Sequence, residues 1–208
     1  MLKVKFVLAA LICILPFNFL RVLGYRLLGY KVSGRIGFGT LIAVSEARIE
    51  KCKIGMFNLF VGPMKMEIDA GASIENRNTF SCGLWTIQEQ YQDKNYTRSL
   101  VVGKNTLITS GHYIDVAGSF ELGDGSWIAG MGSQFWTHGA GVTDRNIRIG
   151  RECYLGSAVR FAPGSGVGDN VIVAMGSVVT KKFEESKAMI GGIPAAILKK
   201  NYDWKLEE

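Results

Sequence analysis

From Ile149 to Val179 an apolar residue recurs at every sixth position: Ile149, Leu155, Phe161, Val167, Val173 and Val179. The residue after each is small in five cases, at Gly150, Gly156, Ala162, Gly168 and Ala174. Four residues after each of the first five stands Cys153, Val159, Ser165, Val171 or Ser177, again small or β-branched. A period of six matches no face of an α-helix and is too long for simple strand alternation. It suits a coil with three short strands per turn, each strand plus corner using six residues. The apolar residue points into the prism and the small residues let the chain turn. Leu155 then stacks on Val173, and Ile149 on Val167, one full turn of eighteen residues later.

The same period runs less cleanly through Ile68, Ile74 and Phe80, through Val102, Ile108 and Ile114, and through Leu122 and Ile128. Ile36 and Ile42 begin it. These runs predict a repeat body over 31–183, preceded by an apolar, basic helical segment (1–30) and followed by an extension (184–208) read as a short helix or arm. Trp204 in that extension is expected to be buried against the body. Two stretches break the period, and both are expected to leave the coil as excursions near 83–99 and 133–146. Loops on a rigid scaffold tend to carry function. The second holds the sequence FWTHGAGV with His138, one of only two histidines; the other is His112.

Charge separates the start of the chain from the rest. No acidic residue precedes Glu46, whereas Lys3, Lys5, Arg21, Arg26, Lys31 and Arg35 do, leaving 18 of the 24 basic residues to balance the 18 acidic ones. A uniformly basic domain would suggest nucleic acid; a basic, apolar first segment on a neutral body suggests an anionic membrane surface instead. The run FVLAALICILPFNFL is short for a spanning helix and is interrupted by Pro16 and Asn18. No small-x-small cleavage site follows it, so it does not read as a removed signal. It reads as a helix lying in a membrane interface or packed on the protein. The four cysteines are scattered with no CxxC pair, which argues for reduced thiols rather than a disulfide or zinc framework.

The run IGRECYLGSAVRFAPGSGVGDNVIVAMGSVVTK, followed by GGIPAAILKK, resembles the hexapeptide-repeat acyltransferases, and among them the sugar O-acetyltransferases. The resemblance implies an all-β, left-handed parallel β-helix, a homotrimer, and acyl-CoA, with acetyl-CoA foremost, lying between neighbouring prisms. It implies a catalytic histidine on an extended loop, which His138 matches. That histidine would act as general base on an acceptor hydroxyl, since imidazole titrates in the right range. The family often supplies an adjacent carboxylate to orient it; Gly139 stands there, leaving Asp144, Asp115 or a main-chain carbonyl as the partner. For the coenzyme the resemblance implies Tyr154, Ser157, Met175, Gly176, Thr180, Lys181, Pro194 and Lys199; a basic residue usual after Pro-Ala is replaced by Ala196. Trp85, Trp136 and His112 are candidate substrate contacts. The implied setting is glycan assembly in the cytoplasm, at the inner face of the membrane. An amino-sugar N-acetyltransferase and a non-catalytic β-helix scaffold are the alternatives. A carbonic anhydrase of this fold would need three histidine ligands for a metal, and two histidines are too few.

Overall fold

The computed structural model describes residues 2–94 and 96–206; Met1, Asn95, Glu207 and Glu208, which fall in the N-terminal segment, the first excursion and the extension, lie outside it. The body is a three-sided, left-handed parallel β-helix. Its interior is three ladders of side chains, one per face. The first face stacks Ile36, Ile54, Ile74, Ile108, Ile128, Leu155, Val173 and Ile190. The second stacks Ile42, Phe60, Phe80, Ile114, Phe135, Phe161 and Val179. The third stacks Val32, Ile49, Ile68, Val102, Leu122, Ile149, Val167 and Phe183. Rings meet face to face where the second ladder places them, with Phe60 and Phe80 4.5 Å apart and Phe135 and Phe161 5.1 Å apart.

The six-residue period is strict only in the C-terminal coils, for a packing reason. In the earlier coils the third-face strands are longer and point two residues inward, as with Leu100 and Val102 or Phe120 and Leu122. That shifts the count by two, as in the eight residues from Ile114 to Leu122. The coil also persists further than the sequence suggests: Gln134–Phe135 is a strand of the second face, paired with Tyr113–Ile114 and Arg160–Phe161. The second excursion therefore begins at Trp136 rather than 133, because the buried Phe135 continues the aromatic ladder.

Both ends of the prism are closed, as open strand edges must be. At the start, α1 (Leu2–Cys13) and α2 (Asn18–Leu27) replace the single helix expected, with Pro16 between them. Two tyrosines imitate a missing strand. The Tyr25 hydroxyl donates to the Thr40 carbonyl at 2.7 Å and accepts from the Ile42 N–H at 3.2 Å. Tyr30 does the same with both backbone groups of Val44, at 2.8 and 3.1 Å. Burial pushes the Tyr25 phenol above its ordinary range, so it remains a donor. At the other end the extension is not a helix. Ala195–Lys200 folds back antiparallel on Ala188–Gly192, and only Trp204–Leu206 forms a 3₁₀ turn. The open edge of the last strand needs a partner, and the Gly191–Gly192–Ile193–Pro194 turn supplies a hairpin. Trp204 is buried, its indole N–H donating to the Glu152 carbonyl at 2.8 Å.

Candidate active site at one corner of the prism

Both excursions leave the coil from the same corner, between the second and third faces. The first follows the strand Thr79–Ser81 and the second follows Gln134–Phe135, with only the tight turn 116–118 between them. Rising from one edge two coils apart, they meet. The Arg145 guanidinium stacks on Tyr96 at 4.6 Å and donates to the Lys94 carbonyl at 3.1 Å, clasping one excursion to the other. Lys182 holds Asp144 at 2.7 Å and ties the second excursion to the last coil. Gly118 lies beneath the returning chain, where a Cβ would come within 2.5 Å of the Arg145 carbonyl.

His138 stands where the two loops converge. Its Nδ1 lies 2.9 Å from Oδ2 of Asp115, at the end of the strand Tyr113–Asp115 one coil away. Asp115 is itself fixed: its Oδ2 accepts the Thr137 N–H at 3.0 Å and the Thr137 hydroxyl, and that hydroxyl accepts the Gly118 N–H at 2.9 Å. The Asp115 side chain is 4% exposed and the imidazole 36%. Among the described residues Nε2 has no hydrogen-bond partner, so the ring presents its second nitrogen to the corner. Asp144, the candidate nearer in sequence, is taken by Lys182, which also holds its carboxyl below the usual range.

Aromatic rings wall the histidine. Trp85 meets it edge-on with centroids 5.3 Å apart and Trp136 at 6.2 Å. Tyr91 and Tyr96 pack on Trp85 at 5.3 and 5.0 Å, and Tyr113 packs on Trp136 at 4.8 Å. Trp85 and Trp136 thus join His138, as their place on the excursions suggested. Tyr91, Tyr96, Tyr113, Thr137 and Arg145 were not foreseen. The signal was present, since Phe80 and Phe135 occupy the same ladder and the segments after them must share a corner.

His112 stands apart from His138 within the chain. It lies at the corner between the first and second faces and is 2% exposed. Its Nδ1 accepts the Ser133 N–H at 3.2 Å, which leaves Nε2–H to donate to the Thr109 hydroxyl at 3.0 Å. The ring is one rung of a polar column inside that corner. Thr40 accepts the Asn58 N–H, Asn58 accepts the Asn78 N–H, Asn78 accepts the His112 N–H, and His112 accepts the Ser133 N–H. Each side chain satisfies a buried amide of the next coil. Burial lowers the His112 pKa to about 4, so the ring stays neutral.

The residues proposed for the coenzyme divide between corners. Thr180 and Lys181 follow the strand Val178–Val179 and lie on the corner of His138, further along the axis. Lys181 and Lys182 flank a shallow depression with Phe183, Ala196 and Ile197. Tyr154, Ser157, Met175 and Gly176 lie on the first face and at its corner with the second, where the Gly176 N–H donates to the Ser157 carbonyl at 2.9 Å. Met175 is 75% exposed, and Gly176 has a φ of +72° with open space where a Cβ would stand. A positive φ with a free approach suits a backbone that faces a ligand. Pro194 is exposed in the terminal hairpin, and Lys199 is exposed on its second strand, 4.6 Å over the ring of Tyr202. Within one chain the whole second face separates Tyr154, Ser157, Met175 and Gly176 from His138, whereas Thr180 and Lys181 share its corner.

No protein-family model matches the chain. A curated relative, the putative lipopolysaccharide biosynthesis O-acetyl transferase WbbJ of Escherichia coli, is 33% identical over 113 residues, 53% of this chain and 55% of that one. The match thus spans about half the length of the relative. Among solved structures, the hexapeptide-repeat-containing acetyltransferase VCA0836 of Vibrio cholerae superposes with a TM-score of 0.52 over 97% of this chain and 93% of that one, at 18% identity. The polySia-specific acetyltransferase NeuO gives 0.49 over 84% and 88%, at 20% identity. The chain is similar to hexapeptide-repeat sugar O-acetyltransferases, and VCA0836 shares its fold.

Proposed function

We propose that the protein transfers an acyl group, acetyl in the simplest case, from acyl-CoA to a hydroxyl of a glycan, with His138 as the general base. The observation that carries this reading is the His138–Asp115 pair. A carboxylate fixed by two hydrogen bonds from Thr137 holds Nδ1–H and leaves Nε2 free to accept a proton. Acyl-CoA would supply an activated carbonyl. His138 would take the proton of the acceptor hydroxyl as its oxygen bonds to that carbon, and return it to the thiolate as the carbon–sulfur bond breaks. Asp115 would steady the imidazolium formed between the two steps. Trp85 and Trp136 offer flat faces and edges beside the base, which suits the C–H surface of a sugar ring. The O-acetyl transferase name of the curated relative supports a hydroxyl acceptor.

A trimer is part of the proposal. Tyr154 and Met175 at one corner and His138 at the next are divided by a full face, and a neighbouring copy in a three-fold assembly would bring one copy's His138, with Thr180 and Lys181 on its corner, beside another's Tyr154 and Met175. Peripheral membrane contact at the cytoplasmic face is the other part. Val4, Leu8, Leu11, Phe19 and Leu27 of the two helices are exposed in a segment without acidic residues. Among the described residues no helix is long and apolar enough to cross a membrane.

The test is transfer of labelled acetyl from acetyl-CoA to a panel of soluble and lipid-linked glycans. Wild type should label at least one of them, and His138→Ala should label it at least about a hundredfold more slowly. Equal labelling by the variant would remove His138 from the chemistry.

A further inference from the structure

One apolar groove lies outside the site described above. It runs between α1 and the outer surface of the second face, with Phe6 and Val7 on the helix side, Ala43 and Val61 on the floor, and Cys82 and Leu84 at its far end. Nothing in the fold requires it, because the ladders inside the prism are complete without it. Its position is informative. Leu84 is followed directly by Trp85, whose ring meets His138. Cys82 opens the first excursion at the corner that carries His138, and a hydrogen bond links each coil to the next along that corner. The Cys82 N–H donates to Val61 and the Val116 N–H to Ser81, while the Thr137 N–H donates to the carboxylate of Asp115. From Gly62 to Thr137 the corner advances three coils, or roughly 14 Å at about 4.8 Å per strand spacing.

The other end of the groove opens on a surface of the same character. Val4, Leu8 and Leu11 of α1 point outward and are 63%, 42% and 60% exposed. With Phe6 and Val7 facing the groove, α1 is apolar on most of its surface, its Lys5 turned back to the Ser45 carbonyl at 2.9 Å, and an apolar helix with basic residues suits the surface of an anionic membrane. A cation stands just beyond the far end of the groove: half-buried Arg98 donates to the carbonyl of Thr86, two residues after Leu84, at 3.2 Å.

We propose that this groove binds the hydrocarbon tail of a lipid-linked acceptor, threading it from the membrane-facing side of α1 to the corner of His138. The tail would lie on Val61 between α1 and Leu84, an anionic phosphate would pass Arg98, and the head group would extend about three coils to the base. The groove stands on its own geometry; its use by the acceptor rests on the acyl-transfer reading.

The experiment is photolabelling of the full chain with a diazirine-bearing farnesyl phosphate, mapped by mass spectrometry, on wild type, Val61→Glu and Leu84→Glu. Leu84 is exposed in a 3₁₀ turn, so that variant keeps the test decisive if Val61→Glu fails to fold. Acetyl-CoA binding is measured calorimetrically on the same samples. The expected result is label on 2–7 and 61–84, displaced by unlabelled farnesyl phosphate, reduced about tenfold or more by a carboxylate in the groove, with acetyl-CoA affinity unchanged. Label scattered over the outer face of the helices and indifferent to both variants would overturn the proposal. So would equal displacement by phosphatidylglycerol vesicles, or a cross-link to a second copy of the chain through the groove. Specific labelling in a protein that binds no acetyl-CoA would leave the groove standing and remove the acyl-transfer reading instead.

Discussion

The two histidines stand at opposite edges of the same face of the prism and are held in opposite ways. At the edge shared with the first face, the coil turns tightly and His112 is a rung in a column of buried side chains, with both nitrogens engaged. At the edge shared with the third face, the coil twice opens into a long loop, and His138 is held by one nitrogen only. The difference lies in what the corner must satisfy. A closed corner buries backbone amides and recruits Thr40, Asn58, Asn78 and His112 to accept them. An open corner releases the chain to build a site from side chains that no single coil could bring together.

The largest expected effect breaks the open corner. His138→Ala should lower turnover by about 10²–10⁴-fold while leaving the melting temperature close to wild type, since the ring is partly exposed and off the ladders. Asp115→Asn should also slow turnover, by less, because the base remains. It should in addition cost about 1 kcal/mol in denaturant unfolding, since a neutral amide oxygen accepts the Thr137 N–H and hydroxyl more weakly than the carboxylate does. His112→Ala should invert the first pattern. It leaves the Ser133 and Thr109 partners unsatisfied at a cost of about 1–3 kcal/mol, yet turnover measured well below the melting temperature should stay near wild type. A collapse in turnover with the fold intact would return His112 to the site. Tyr25→Phe removes one cap hydroxyl and should cost a similar or smaller amount, about 1–2 kcal/mol, with no effect on turnover.

The smallest effect is on pH dependence, and it sharpens the contrast. Burial lowers the His112 pKa from its ordinary 6.5 to about 4. Between those values the unfolded chain binds a proton that the folded chain does not, so stability falls as pH drops through that window. Comparing melting curves of wild type and His112→Gln across pH 4–7 should show a shallower decline in the variant.

The coil was legible in the sequence because its period is a direct consequence of three-sided geometry, repeated where the third-face strands point a single residue inward. It blurred where Leu100 with Val102, and Phe120 with Leu122, doubled the inward positions. The terminal hairpin was misread as a helix or arm, since AAILKK has helix-compatible composition and only the unpaired edge of Ala188–Gly192 makes it a strand. His138 could be picked out by its loop and by the resemblance. Asp115 could not be chosen over Asp144, because that choice depends on which coil lies beside the loop. That the two excursions share a corner could be read from Phe80 and Phe135 on one ladder, but which of their side chains meet, Tyr91 and Tyr96 among them, could not, because an aperiodic loop carries no register.

The central claim is a donor site served by His138, and calorimetric titration of acetyl-CoA into wild type and His138→Ala, with coenzyme release followed in parallel, tests it most directly. The account predicts saturable binding near one per chain in both proteins, with release in the presence of an acceptor lost only in the variant. Absence of binding in both, in protein shown to be folded and assembled, would contradict it and leave a β-helix whose open corner serves as a scaffold.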